Sequence, residues 1–138
     1  MQKLIITIFF LSLLSCGTSD DGNTLLPNVP VNETVFLNNP SALDLKFPTG
    51  SITISGGIAG IIIYNFDDNQ FFAWDRACPH EEPQKRCVLN VVDTFWMECS
   101  CDDIRFSILN GSPQSGTQFS ARQYRVIKNG DSLIITNF

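Results

Sequence analysis

Two short segments of this 138-residue chain concentrate the side chains that could do chemistry: Cys78-Pro79-His80 and Cys99-Ser100-Cys101-Asp102. Thiolates stabilise ferric iron, and neutral imidazoles raise the potential of an iron centre, so the two segments would suit a metal cluster if they converge. The chain has five cysteines but a single histidine. In an oxidising compartment cysteines are more often bonded to each other than to metal. With Cys16 set apart for reasons given below, Cys78, Cys87, Cys99 and Cys101 remain, an even number that allows two disulfides. Other chemistries fit less well. The Cys99-Ser100-Cys101 pair follows a strand, without the helix N-terminus that usually lowers a reactive thiol's pKa. Cys78 and His80, two residues apart on a loop, would point apart as nucleophile and base, and no third group orients them. Zinc held by Cys78, His80, Cys99 and Asp102 is chemically acceptable and needs no inorganic sulfide.

The elements that must position these segments read as strands. Beyond Val31 the apolar runs are short, β-branched or aromatic, and broken by Gly, Asn, Asp and Pro, with no long stretch of helical spacing. Strands are expected at Glu33 to Leu37, Leu43 to Phe47, Ser51 to Ser55, Gly60 to Phe66, Gln70 to Asp75, Thr94 to Cys99, Ser107 to Leu109, Tyr124 to Lys128 and Ser132 to Asn137. Asp67-Asp68-Asn69 and Lys128-Asn129-Gly130-Asp131 mark two turns, the second through an Asn-Gly pair suited to a tight hairpin. Ile61, Ile63 and Tyr64 with Phe71, Phe72 and Trp74 supply the bulk of a small sandwich or barrel core. Each cysteine segment opens directly after an aromatic strand.

On these residues the chain resembles the Rieske family, whose domain places Cys-x-His on one hairpin loop and Cys-x-x-His on a second, around a two-iron, two-sulfur (2Fe-2S) cluster. The likeness runs from about Leu43 to the C-terminus. Gly60 to Asp75 looks like the strand pair leading into the first box, and Phe106 sits where an aromatic follows the second. Gly111-Ser112-Pro113 through Gly116 is similar to the glycine and proline loop that covers the cluster, and Tyr124-Arg125-Val126 to the closing strand. The resemblance implies an all-β, Rieske-like sandwich or barrel over residues 33–138, with two cysteine-bearing hairpin loops. It assigns Cys78, His80 and Cys99 to the cluster, with Asp102 where the second histidine belongs and Asp103 in place of the following glycine.

The family holds its inner iron by both cysteines and its outer iron by both histidines, so this chain departs from the pattern at one ligand of four. Asp102 could ligate through oxygen, which would lower the potential. Alternatively there is no cluster, and Cys78 and Cys99, which the family brings to one iron, close as a disulfide. Cys87 and Cys101 match the structural disulfide that some Rieske proteins place beside the cluster, which is worth about 2–4 kcal/mol.

The N-terminus implies export. Residues 1–15 carry Lys3, then an apolar or hydroxyl run from Leu4 to Leu14, and end at Ser15 before Cys16, the layout of a signal peptide with an apolar core too short to span a bilayer. Leu13-Leu14-Ser15-Cys16 resembles the lipobox of bacterial lipoproteins, which implies a lipid on Cys16 that holds the protein to a membrane. Residues 16–32 read as a flexible tether. Within them Ser19-Asp20-Asp21 looks like the acidic export tag of surface-exposed lipoproteins of the Bacteroidota, which implies the outer membrane and the cell surface. A net charge of −5 repels phosphate backbones and excludes nucleic acid as a natural partner. The expectation is a membrane-tethered domain that passes single electrons to an envelope redox protein, with no substrate chemistry of its own. The alternative is a clusterless descendant of the fold, stapled by two disulfides and serving as a binding or structural module.

Overall fold

The computed structural model describes residues 25–138. Its centre is Ile61-Ile62-Ile63-Tyr64-Asn65, strand β3 (Ile61–Asn65), in which every residue is buried. Successive side chains of a strand point to opposite faces, so a run buried at every position, and apolar from Ile61 to Tyr64, needs a core on both sides. Ile61 and Ile63 enter one apolar cluster and Ile62 and Tyr64 the other. The neighbouring strand β4 (Phe71–Asp75) divides in the same way, with Ala73 on the first side and Trp74 on the second.

The remaining strands are β1 (Asn32–Phe36), β2 (Ser51–Ile54), β5 (Leu89–Val92), β6 (Trp96–Cys99), β7 (Arg105–Ser107), β8 (Gln123–Asn129) and β9 (Ser132–Thr136). They form two antiparallel sheets, one of six strands in the order β1-β9-β8-β4-β3-β2 and one of three in the order β5-β6-β7. The larger sheet curls so that Val35, Ile61, Ile63, Tyr124, Leu133 and Ile135 share one core. The smaller sheet lays Leu89, Met97 and Phe106 against Ile62, Tyr64 and Trp74 on the other face. The Trp74 indole N–H donates to the Ile108 carbonyl at 2.9 Å, and the Tyr64 hydroxyl to the Thr94 carbonyl at 2.8 Å, so both aromatics tie the layers by polar tips as well as by area.

The all-β reading holds, with three local corrections. Leu43 to Phe47 is no strand: residues Pro40–Lys46 form a 3₁₀ helix. Pro40 presets the first turn, and the buried pair Ala42 and Leu45, three apart, matches the three-residue repeat, whereas a strand would have buried Leu43 and Phe47, which are exposed. The spacer before Thr94 contains a turn of 3₁₀ helix, Pro83–Lys85, and the unexpected strand β5, whose Leu89 is buried opposite Cys99. The strand expected at Ser107 to Leu109 lies earlier, at Arg105–Ser107, because Phe106 rather than Ser107 faces the core. Both marked turns are present. Asp67 accepts the N–H groups of Asn69 and Gln70 between β3 and β4, and Asn129 pairs with Ser132 around a two-residue hairpin loop.

The signal peptide, Cys16 and the first part of the tether lie outside the described residues. From Leu25 the chain lies on the domain. Leu26 and Val31 are buried, the Leu25 N–H donates to the Pro79 carbonyl at 3.3 Å, and Arg122 donates to the Leu26 carbonyl at 3.0 Å.

Candidate functional site

The first cysteine loop runs from the end of β4 to the start of β5, and the second from β6 to β7. Because β5 pairs with β6, both loops leave the small sheet at the same end, where Ser100 extends the ladder. The Ser100 N–H donates to the Val88 carbonyl at 2.9 Å, and its hydroxyl accepts the Val88 N–H at 3.1 Å. Ser100 therefore fastens one loop to the other, a role that its position between two cysteines did not disclose.

All four cysteines of the two loops meet there in pairs. Cys78 is bonded to Cys99 with Cα atoms 5.8 Å apart, and Cys87 to Cys101 at 5.5 Å, both within ordinary disulfide reach. The first bond is interior, with Cys78 and Cys99 fully buried; the second reaches the surface through Cys101. Beside them a cleft of about 240 Å³, which Cys78 and Cys87 help to line, opens between Glu81, Arg86 and the turn at Ile58.

His80 and Asp102 also face one another, with His80 Nε2 2.5 Å from Asp102 Oδ2. The imidazole stacks on Phe106, ring centroids 5.7 Å apart. Its Nδ1 is buried and has no hydrogen-bond partner among the described residues. Burial alone would raise the Asp102 pKa, but hydrogen bonds from His80 and from the Ile104 N–H, with the charge of His80, outweigh it and hold the carboxyl below its usual range. His80, Cys99 and Asp102 each offer a ligand atom within 4.8 Å of the others. Asp103, where the Rieske pattern has glycine, is in the left-handed region at φ +62°, a conformation that aspartate tolerates better than most residues.

Behind the loops lies a buried carboxylate that sequence reading left as the last residue of a strand. Asp75 accepts the N–H groups of Ile58 at 2.6 Å, Ala59 at 3.2 Å and Ala77 at 2.8 Å, and the Tyr124 hydroxyl at 2.7 Å. It thereby fixes the first loop, three residues before Cys78, to the β2–β3 turn and to β8. Burial, the hydrogen bond and the negative charge of Asp75 all push the Tyr124 pKa up. Gly57 lies against this carboxylate with φ +60°, and a Cβ there would come 2.3 Å from Asp75 Oδ2. The only prior signal was Tyr124 in the closing strand of the resemblance.

The glycine and proline loop also comes to this side of the small sheet. Pro113 forms a bridge with Phe106, and Gly111 packs so closely on Trp74 that a Cβ would sit 2.4 Å from the ring.

No protein-family model matches the chain, and no curated protein does. Solved structures do match. The ferredoxin of carbazole 1,9a-dioxygenase from Nocardioides aromaticivorans IC177 superposes with a TM-score of 0.52 at 18% identity, covering 80% of this chain and 100% of that one. A chain from the complex of reduced oxygenase and oxidized ferredoxin in carbazole 1,9a-dioxygenase gives 0.55 at 19%, over 76% and 92%. The E. coli protein NirD gives 0.50 at 14%, over 79% and 98%. The chain thus has the Rieske-like fold of these neighbours.

Proposed function

We propose that this is a clusterless Rieske-fold domain, stapled by two disulfides and serving as a binding or structural module in the cell envelope. The bond between Cys78 and Cys99 carries the reading. Those are the two thiols that the family commits to the inner iron, and a sulfur in a disulfide is not a thiolate ligand. The outer iron fares no better: one imidazole is present, and the carboxylate at the other position is hydrogen-bonded to it. The residues present do not fit the family's cluster. The four cysteines in an exported chain, closed in pairs across two loops, support the structural role.

The test is composition. The full chain, purified from an iron-replete host, is expected to be colourless, free of acid-labile sulfide, and without a free thiol among Cys78, Cys87, Cys99 and Cys101 after denaturation. A brown protein with iron and sulfide in equal amounts would overturn it.

One observation favours the second reading, one-electron transfer through a 2Fe-2S cluster on Cys78, His80, Cys99 and Asp102: the buried, unpartnered Nδ1 of His80. The same sulfide assay decides between the two.

Membrane attachment is part of the proposal and rests on the lipobox around Cys16. Among the described residues no helix is long and apolar enough to cross a membrane. A labelled fatty acid should be incorporated by the chain and lost in Cys16→Ser, with the protein leaving the membrane fraction. Labelling that survives the substitution would refute the anchor.

A further inference from the structure

The corner where the loops meet contains more donor groups than a staple needs. His80, Cys99 and Asp102 already place ligand atoms within 4.8 Å of one another, and Cys78 is covalently joined to the same cluster. The His80 side chain is only 10% exposed, and leaving a buried polar atom without a partner is costly, so its Nδ1 stands out in a loop otherwise well bonded. A metal ion is a partner that would satisfy it.

We propose that reduction of the Cys78–Cys99 disulfide converts this corner into a site for a single zinc-like divalent cation, held by Cys78, His80, Cys99 and Asp102. The inference rests on the clusterless reading, since it requires both sulfurs to be free of iron and inorganic sulfide. Two thiolates, one imidazole and one carboxylate are a donor set that zinc accepts in tetrahedral geometry, whereas magnesium and calcium prefer all-oxygen sites. While the disulfide stands, only His80 and Asp102 remain, and they are engaged with each other. Once it opens, four donors replace two.

The chemistry balances with a dithiol as reductant. A dithiol thiolate attacks one sulfur of the protein disulfide, and its second thiol resolves the mixed disulfide. Two electrons and two protons pass to Cys78 and Cys99, and the reductant becomes a disulfide. The cation then displaces the two thiol protons. Exposure sets the order: Cys101 lies at the surface while Cys78 and Cys99 are buried, so the Cys87–Cys101 bond is met first and its opening loosens both loops.

The experiment titrates cobalt(II), a spectroscopic stand-in for zinc, into the full chain, either oxidised or reduced by a phosphine that is itself no thiol. The reduced chain should take up one cobalt ion with a thiolate-to-cobalt charge-transfer band that zinc abolishes, and the oxidised chain should show no such band. His80→Ala should weaken binding by more than the roughly 10- to 100-fold that losing an outer-shell partner costs. The Cys87→Ser/Cys101→Ser double variant should keep the band, with circular dichroism confirming that each variant is folded. The site is refuted by a reduced chain without the band, by equal binding in both redox states, or by His80→Ala binding as the parent does. Acid-labile sulfide in the protein as isolated would instead refute the clusterless reading beneath it, so the two failures are told apart.

Discussion

The six-stranded sheet and the three-stranded sheet are held by different means. The first encloses a core of Val, Ile, Leu, Ala and Tyr side chains contributed by β1, β3, β4, β8, β9 and the 3₁₀ helix Pro40–Lys46, with no cysteine among them. The second carries both disulfides at its loop end, and two of its strands have four residues and one has three. These short strands bury Leu89, Met97 and Phe106, but they also support a long first loop, residues 76–88, whose ordering is opposed by backbone entropy. Beyond that core, covalent bonds and a buried carboxylate hold the loops. The core around the larger sheet is therefore held by burial without disulfides, and the smaller sheet by burial together with the oxidation of its loops.

That contrast can be broken most severely at Asp75, where the two parts are tied. In Asp75→Ala three backbone N–H groups and the Tyr124 hydroxyl lose their acceptor, and at about 1–3 kcal/mol for each unsatisfied buried donor the loss should exceed about 3 kcal/mol. Thermal denaturation should show the whole domain destabilised; a loss confined to the loops would show that Asp75 does not couple them to the larger sheet.

Next comes the outer staple. Cys87→Ser with Cys101→Ser should cost about 2–4 kcal/mol in chemical denaturation. Amide exchange should accelerate in the two loops and in β5 to β7 but not in β3, and equal acceleration in β3 would erase the distinction between the regions.

A smaller effect is expected from acid. The depressed Asp102 carboxyl contributes stability at pH values above its unfolded pKa of about 4, and this is lost as pH falls through the lower folded value. Acidification in that window should loosen the two loops while the larger sheet persists, and Asp102→Asn should flatten the dependence; an unchanged acid profile in that variant would discard the His80–Asp102 tie as its source.

The least change should follow Asp103→Gly, which relieves a left-handed residue at the expense of a more flexible unfolded chain, for a net effect below about 1 kcal/mol. A midpoint lowered by more than that would mean that the Asp103 side chain has a role its backbone angle does not reveal.

Fold class was legible because β3 and β4 state their pattern strongly: five consecutive buried residues in β3, aromatics in β4, and an Asp-rich turn between them. The 3₁₀ helix was not, since Leu43, Leu45 and Phe47 alternate as a strand would, and only tertiary packing shows that Ala42 and Leu45 are the pair that enters the core. Strand β5 was missed because its four residues lie in the spacer between the two boxes, and their pairing with β6 is a long-range fact. At the site, the cysteines and His80 announce themselves by residue type. Ser100 and Asp75 do not, because a hydroxyl that closes a ladder or a carboxylate that collects N–H groups depends on which backbone comes near.

The docking of Leu25 against Pro79 has a geometric consequence for attachment. A chain anchored by lipid at Cys16 would have nine residues to Leu25, a span of at most about 30 Å when fully extended. Leu25 adjoins the first cysteine loop, so such an anchor would keep the stapled tips within that distance of the lipid surface, in range of whatever reductant or metal passes along it.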